Sequence, residues 1–306
     1  MKTKHDLKQS QSWHGVWTAL ITPLTPDFQV DVRSLEKLIE IQIASGITGL
    51  VIAGSTGEGS SLPEPTLKSL FTEAQRINGD RIPLVAGLGI GGTQSAFKNA
   101  EIAKSFGFNG LLASPPAYIK APQRGLKLHF SKLAELGLPI CLYEIPGRAA
   151  SSLQVQSLAE LSDANSLFIA TKDATGDLGR MVDCASKVRA KIAFLSGDDL
   201  SYHGFLCNGG HGVISVATHF LPKTFIKMTQ LVRDGKLSES LKLQAKIQKF
   251  TESLFSESNP IPTKSLMKKL GIISNDSILP PLVPMEETLL QKSFELLQNL
   301  KKEGLE

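Results

Sequence analysis

A chain of 306 residues with 42% hydrophobic and 20% charged residues has the composition of an ordinary globular protein. The net charge of +4 is spread along the chain, and its densest basic run, Lys264 with Lys268 and Lys269, is typical of a solvated helix face. Nucleic-acid binding is therefore disfavoured. Three widely spaced cysteines, a polar N-terminus and no apolar run near the ~20 residues of a membrane helix predict a soluble, cytoplasmic protein without a membrane segment.

The chain repeats one unit, in which a short apolar run precedes polar or glycine-rich residues and then an amphipathic stretch. Eight runs of this kind predict strands, at residues 16–22, 49–53, 83–86, 110–113, 139–143, 167–171, 192–195 and 212–216. Helical patterns lie between them, at residues 32–44, 64–77, 94–106, 124–136 and 178–188. After residue 218 the pattern is helical only, with a final barrel helix expected before helices at 237–254, 261–270 and 286–300.

Strands that alternate with helices imply parallel pairing, which is compatible with a closed barrel or an open doubly wound sheet. An open sheet should carry a glycine-rich dinucleotide fingerprint after its first strand, and Pro-Leu-Thr-Pro stands there at residues 23–26. The count of eight and the polar clusters after the strands favour a TIM (β/α)8 barrel. We predict a polar N-terminal tail at 1–14, the barrel at 15–233 and a C-terminal helical extension at 234–306.

Lys172 ends the sixth predicted strand, where its side chain would stand at the barrel mouth. A lysine at the end of a buried strand is costly unless it is solvated or paired, and desolvation lowers the pKa of its amine. A neutral amine is the form that attacks a carbonyl to give an imine. An isolated lysine usually just ends a strand at the surface, so this interpretation depends on its neighbours.

Two further clusters follow predicted strands. Ser55 and Thr56 stand between glycines in the loop 54–59, where hydroxyls and approachable backbone N–H groups suit a carboxylate. The loop lacks the GK[ST] ending of a nucleotide-binding P-loop. Tyr143 and Arg148 follow the fifth strand; a phenol can transfer protons and a guanidinium can hold a carboxylate. Taken separately, they could equally be a buried tyrosine and a surface arginine.

Other polar groups carry weaker indications. Tyr118, after the fourth strand, is by itself more typical of a packing or interface aromatic. Asp198 and Asp199 follow Gly197 after the seventh strand, and capping of the next helix is the better interpretation of these acids. The histidines show no metal-ligand spacing with acids or cysteines, and we predict neither a metal nor a cofactor.

Together, six motifs resemble the dihydrodipicolinate synthase family, within the pyruvate-dependent class I aldolase and N-acetylneuraminate lyase superfamily. In chain order they are GSTGE at 54–58, YxxPGR at 143–148, KDATGD at 172–177, SGDD at 196–199, GGHGVISV at 209–216 and NPIPTK at 259–264. The resemblance implies condensation of pyruvate with L-aspartate-4-semialdehyde to 4-hydroxy-tetrahydrodipicolinate, towards diaminopimelate and lysine. It also implies a cytoplasmic homotetramer or homodimer.

The resemblance also implies residue roles. Lys172 would form the imine with pyruvate, and Tyr143 would transfer protons at the imine and the enamine. Ser55 would link Tyr143 to Tyr118 in a proton relay, with Tyr118 entering from a neighbouring subunit. Thr56 would hold the carboxylate of pyruvate.

Three further positions are assigned to substrate binding by the resemblance. Arg148 would bind the carboxylate of the semialdehyde, the backbone carbonyl of Ile214 would lie beside the substrate, and Gly197 belongs to the same set. Glu144 replaces the asparagine common after the tyrosine, with an effect on the second-substrate pocket that the sequence leaves open.

The serine at position 55 keeps an alternative open. Synthases more often have two threonines there, and a serine also resembles N-acetylneuraminate lyase, a sister enzyme with the same imine chemistry. Another 2-keto acid aldolase is a similar alternative. Arg148 and the KDATGD and SGDD segments favour the synthase. A barrel that had lost catalysis should show a broken set of lysine, tyrosine and hydroxyls, and here that set is intact.

Family members that are inhibited by lysine bind it through a glutamate, an asparagine, histidines and an extra tyrosine. By alignment with the surrounding motifs, the glutamate becomes Ser95, the asparagine Gly91, the histidines Glu64 and Leu67, and the tyrosine Ala117. The two amines of lysine would then lose most of their acceptors, and a desolvated cation without partners binds poorly. We predict weak or absent feedback inhibition by lysine.

Overall fold

The computed structural model describes residues 5–306, and its centre is a closed barrel of eight parallel strands in chain order. The strands are β1 Gly15–Ala19, β2 Gly49–Ile52, β3 Leu84–Gly87, β4 Gly110–Ala113, β5 Ile140–Glu144, β6 Phe168–Asp173, β7 Ala193–Ser196 and β8 Gly212–Ser215. β8 pairs with β1 and closes the ring. The predicted TIM barrel is confirmed, although β1 ends three residues before its predicted end.

Nine helices of the described chain surround the barrel: α1 Val32–Ala44, α2 Glu64–Asn78, α3 Thr93–Ser105, α4 Gln123–Ala134, α5 Pro146–Ala149, α6 Val155–Ala164, α7 Leu178–Lys187, α8 Tyr202–Cys207 and α9 Pro222–Arg233. The helices α5, α6 and α8 were not predicted from the sequence. The first and last of these are too short for a clear period, whereas α6 buries residues at helical spacing and could have been found. None of the described helices is long and apolar enough to cross a bilayer.

The predicted C-terminal helical extension is also confirmed, and it consists of α10 Leu237–Ser253, α11 Ile261–Lys269 and α12 Glu287–Lys302. α10 packs against α12 within the extension and against α9, the last helix of the barrel. The contact with α9 attaches the extension to the barrel. One prediction is wrong here. Lys264 does not belong to a solvated face, because it is 1% exposed and forms a buried ion pair with Glu58. Periodicity could not reveal a carboxylate so distant in sequence.

The floor of the barrel is closed by the segment before β1. Leu7, Trp13 and Trp17 are buried, and both indole N–H groups are used: Trp13 donates to the Leu7 carbonyl at 2.9 Å and Trp17 to the Trp13 carbonyl at 2.8 Å. Residues 1–4 of the predicted polar tail lie outside the described residues, and the remainder brings the side chains of Leu7 and Trp13 into the barrel.

Side chains from all eight strands fill the barrel interior, which is a packed core as expected for this fold. They are Trp17, Ala19, Val51, Val85, Leu112, Cys141, Tyr143, Ile169, Ala170, Ala193, Leu195 and Ile214. Tyr143 also lines the cavity above them, so that cavity has a packed and rigid base.

Candidate active site

One cavity at the C-terminal ends of the strands collects most of the predicted site residues. Its volume is about 580 Å³, and its lining includes Ser55, Thr56, Tyr143, Arg148, Lys172 and Gly197. These residues follow or end four different strands, which is the usual construction of a TIM-barrel site. Residues 255–259, between α10 and α11, cover one side of the cavity. The extension is therefore part of the wall.

Lys172 and Tyr143 form the centre of this site. They are register partners on adjacent strands β6 and β5, and the Lys172 Nζ atom lies 4.4 Å from the centroid of the Tyr143 ring. Both are buried, with exposed fractions of 5% and 8%. Among the described residues Lys172 has no hydrogen-bond or ion-pair partner. A buried amine on a rigid strand, without an anion to pair with, is arranged to react with a carbonyl carbon.

Gly197 makes room for the stem of this lysine. A Cβ atom at position 197 would lie 2.9 Å from Cε and 3.0 Å from Cγ of Lys172, and 2.8 Å from the Cβ of Ala174. Any side chain there would push the amine out of its place. The contribution of Gly197 is thus steric. No pattern in the sequence indicated that this glycine leaves space for the Lys172 side chain.

Glu144 and Asp173 point away from the cavity, because successive side chains of a strand face opposite sides. Arg180 donates from Nε to Asp173 Oδ2 at 2.8 Å, and its Nη2 lies 3.7 Å from Glu144 Oε2. Burial raises the pKa of Glu144 more than Arg180 lowers it. The same carboxylate accepts from the Leu153 N–H at 2.7 Å, so Glu144 braces the loop that carries Arg148 and does not line the cavity.

The loop after β2 carries the two hydroxyls, and it passes so close to β2 that only glycine fits at its end. A Cβ atom on Gly59 would lie 1.8 Å from the Ala53 carbonyl oxygen. Thr56 is 2% exposed, and its Oγ1 accepts a hydrogen bond from Asn259 Nδ2 at 2.9 Å. Ser55 lies beside it on the cavity wall. The hydroxyl pair thus faces the same space as Lys172.

Arg148 lies in the short helix α5 at the rim of the cavity. Its Nη2 donates to the backbone carbonyl of Asn259 at 2.8 Å. Asn259 therefore contacts both Thr56 and Arg148, although it was not among the predicted site residues. The motif NPIPTK, which served only to support the resemblance, begins with this asparagine and was the available signal.

Two predicted site residues do not line the cavity. Tyr118 is 93% exposed and adopts a left-handed backbone with φ of 70°. Ile214 is 1% exposed, its side chain lies in the barrel interior, and Val216 is the lining residue that follows β8.

The two acids after β7 have different roles. Asp198 accepts from the Ser201 N–H at 3.0 Å at the start of α8, which agrees with the capping interpretation. For Asp199 that interpretation is wrong. Its Oδ2 accepts from the N–H groups of Val216 and Ala217 at 3.0 and 2.8 Å, so it connects the loop after β7 to the end of β8. Burial raises the pKa of Asp199 to about 6.

Comparison with known proteins places this geometry in a family. Residues 12–300 match the model of the dihydrodipicolinate synthetase family. The 4-hydroxy-tetrahydrodipicolinate synthase of Bdellovibrio bacteriovorus is 33% identical over 96% of this chain and 99% of its own length. Among solved structures, the synthase of Methylacidiphilum fumariolicum SolV superposes with a TM-score of 0.91 at 31% identity, covering 95% of this chain and 99% of that one.

The chloride-inhibited dihydrodipicolinate synthase of Acinetobacter baumannii, solved in complex with pyruvate, superposes with a TM-score of 0.89. It is 33% identical, and the match covers 96% of this chain and 99% of that one. These similarities extend over nearly the whole chain, barrel and extension alike. The chain therefore belongs to the dihydrodipicolinate synthetase family, and it is an enzyme of the lyase class.

Proposed function

We propose that this enzyme condenses pyruvate with L-aspartate-4-semialdehyde to 4-hydroxy-tetrahydrodipicolinate through an imine on Lys172. The observation that carries the proposal is the placement of the unpaired Lys172 amine against the Tyr143 ring in one cavity with Ser55, Thr56 and Arg148. The names of the most similar enzymes and the pyruvate complex of the A. baumannii enzyme support it.

The chemistry follows from these positions. The Lys172 amine adds to the keto carbon of pyruvate, and loss of water gives the imine. Removal of a proton from the methyl carbon gives an enamine, which adds to the aldehyde carbon of the second substrate. The α-amino group of this adduct then attacks the imine carbon, which closes the six-membered ring and releases the Lys172 amine. The Tyr143 ring lies against the Lys172 amine, and its phenol supplies and receives these protons. The Thr56 hydroxyl holds the carboxylate of pyruvate, and Arg148 holds that of the semialdehyde.

Ile214 and Gly197 complete the proposed substrate site. Gly197 leaves space for the lysine stem, and the backbone of β8 at Ile214 would lie beside the bound imine. A sister aldolase or lyase, such as N-acetylneuraminate lyase, keeps the imine step and differs in the second substrate. Ser55 is the feature that favours that alternative, whereas the position of Arg148 on the rim favours the synthase.

The decisive experiment is borohydride trapping of the pyruvate imine, read by intact mass, together with turnover of the semialdehyde and of N-acetylneuraminate. We expect wild type to trap pyruvate and to consume the semialdehyde only. Lys172→Ala should lose both trapping and turnover, whereas the exposed control variant Lys191→Ala should keep both. A trapped adduct in Lys172→Ala would refute the lysine assignment, and turnover of N-acetylneuraminate would favour the lyase.

We further propose that the active form is a homodimer or homotetramer in the cytoplasm, where all three cysteines remain free thiols. Tyr118 from one subunit would reach Ser55 of the next and complete the proton relay, which accounts for its 93% exposure on the single chain. Co-expression of Tyr118→Phe with Lys172→Ala should restore activity that neither variant has alone, because mixed dimers contain one intact site. Failure to complement in a verified mixed dimer would contradict this.

We also propose that lysine inhibits the enzyme weakly or not at all. The five positions aligned with the lysine-binding residues of inhibited relatives line one cavity of about 580 Å³: Glu64, Leu67, Gly91, Ser95 and Ala117. Its one carboxylate, on Glu64, is already paired with Lys68 and Lys98, which lower its pKa to about 2. A lysine ammonium would compete with both of these cations for it. Inhibition by submillimolar lysine in a steady-state assay would contradict this proposal.

A further inference from the structure

Asn259 lies between the two residues proposed to hold substrate carboxylates. Its side-chain Nδ2 donates to Thr56 Oγ1 at 2.9 Å, and its backbone carbonyl accepts from Arg148 Nη2 at 2.8 Å. It is half-buried and lines the same cavity as Lys172. It belongs to the loop between α10 and α11, so the helical extension contributes it and the barrel does not.

The contact with Thr56 has a direction. A hydroxyl carries one proton, and when its oxygen accepts from an amide N–H, that proton stays free for another acceptor. Thr56 Oγ1 makes no second hydrogen bond within the described residues, and Thr56 lines the cavity. The amide of Asn259 thus leaves Thr56 as a donor towards the cavity, which is what a carboxylate requires.

The contact with Arg148 acts in a similar way on the second anchor. The guanidinium has five N–H donors, and the Asn259 carbonyl occupies one end of it. Arg148 is exposed at the rim, where a long side chain would otherwise sample several rotamers. Holding one end in place limits these rotamers, and the other donors have no partner among the described residues at this wall of the cavity.

A buried ion pair keeps Asn259 at this position. Lys264, in α11, pairs with Glu58, which stands two residues after Thr56. Lys264 Nζ also donates to the Ser277 carbonyl at 2.7 Å, and Glu58 Oε2 accepts from the Leu279 N–H at 2.7 Å. The Thr56 loop and the Asn259 loop are therefore joined twice, once inside the cavity and once behind it.

We propose that Asn259 is a positioning residue that sets the affinity for pyruvate, by turning the Thr56 hydroxyl proton towards its carboxylate, and that it holds Arg148 ready for the second substrate. This inference rests on the proposed function. It makes the extension a determinant of substrate affinity, although the reacting groups all lie on the barrel.

Asn259→Asp tests the direction of the hydrogen bond with little change of shape. The carboxylate replaces a donor with an acceptor, draws the Thr56 proton to itself and repels pyruvate. We expect the KM for pyruvate, and the pyruvate concentration for half-maximal imine trapping, to rise about tenfold or more, because hydrogen bonds to charged groups are the stronger class. The kcat at saturating pyruvate should change much less. Asn208→Asp, at a half-buried asparagine that donates to the Gly204 carbonyl, is the matched control and should leave both values unchanged.

Two further variants separate positioning from a general structural effect. Asn259→Ala removes the side-chain amide and keeps the backbone carbonyl, so the pyruvate KM should rise more than the semialdehyde KM. Thr56→Val removes the hydroxyl, and in that background Asn259→Ala should add little to the pyruvate KM, because the two residues act as one unit. Circular dichroism establishes that each variant is folded, and the alanine variant serves if the aspartate variant is not.

The outcomes are distinct. If wild type traps pyruvate but Asn259→Asp and Asn259→Ala bind it with unchanged affinity, this inference is wrong and the proposed function stands. Additive effects of Asn259→Ala and Thr56→Val would also overturn it. If wild type traps no pyruvate, the proposed function itself fails.

Discussion

The two ends of the barrel differ in whether their buried polar groups are hydrogen-bonded within the protein. At the floor, the indole N–H groups of Trp13 and Trp17 are both bonded to backbone carbonyls, and both rings are fully buried. At the mouth, the Lys172 amine lies over the Tyr143 ring without a hydrogen-bond or ion-pair partner among the described residues, and the Thr56 hydroxyl keeps its proton free. Unpaired polar groups are costly to bury, so they persist where a substrate is to pair with them.

The residues that stabilise the fold and the residues proposed to react with substrate therefore lie at opposite ends of the barrel. The floor contributes packing and satisfied hydrogen bonds, whereas the mouth holds reactive groups on rigid strand ends. The ion pair of Glu58 with Lys264 is the exception, because it lies behind the mouth and is nevertheless fully paired and buried. Variants at the two ends should therefore affect different measurements, and variants of this pair should affect both.

The largest effect is expected from Lys264→Met, which leaves the Glu58 carboxylate buried without its partner. Breaking a buried ion pair in this way lowers the free energy of unfolding by about 3–5 kcal/mol. Urea denaturation measures that loss, and the pyruvate KM should rise in the variant, since the loop carrying Asn259 is no longer fixed to the Thr56 loop.

The matched control is Lys268→Met, in the same helix, where the pair with Asp276 is half-exposed and worth about 1 kcal/mol or less. The double variant Glu58→Gln/Lys264→Met should recover much of the lost stability, because no unpaired charge is left buried. Equal losses in the Lys264 and Lys268 variants would contradict the role given to this pair.

Trp13→Ala tests the floor. Removing a fully buried tryptophan leaves a cavity and lowers the free energy of unfolding by about 4 kcal/mol. Below its unfolding temperature the variant should keep the kcat and KM of wild type, because the Trp13 ring stacks on Trp17 at the floor and neither residue lines the cavity. A folded Trp13→Ala protein with impaired pyruvate trapping would break the separation between floor and mouth.

A smaller effect concerns pH. His219 accepts from the Ile21 N–H at 3.1 Å and bonds the Val216 carbonyl at 2.8 Å, and burial lowers its pKa from 6.5 to about 4. Below pH 6.5 His219 is protonated in the unfolded chain but stays neutral in the folded chain until the pH is near 4. His219 therefore lowers the free energy of unfolding by about 3 kcal/mol as the pH drops to about 4.

Asp199, on the other side of Val216, has the opposite effect in nearly the same range. Its pKa is raised from 3.8 to about 6, so the folded state binds its proton first and gains stability as the pH falls through this window. The two contributions nearly cancel in wild type. Removing one should expose the other: between pH 7 and pH 4, Asp199→Asn should lose stability relative to wild type, and His219→Gln should gain it. Urea midpoints across this range measure both, and parallel curves for the three proteins would refute the assignment.

Much of the fold and part of the site could be predicted because their signals are local. Alternation of apolar runs with amphipathic stretches is a property of neighbouring residues, and eight repeats of it indicated the barrel. Parallel strands in a barrel end at one mouth, which is why the sequence alone predicts that Lys172, Tyr143, Thr56 and Arg148 lie together. Their shared cavity agrees with that expectation.

The remaining features depend on residues far apart in the chain. The bond of Asn259 to Thr56, the ion pair of Lys264 with Glu58 and the space that Gly197 leaves for Lys172 involve groups brought together only by folding. A local pattern carries no information on such partners, since periodicity reports which face a residue is on and not what it meets there. The sequence determined the strands and the reactive groups at their ends; the tertiary structure decided which of those groups are paired and which remain free for a substrate.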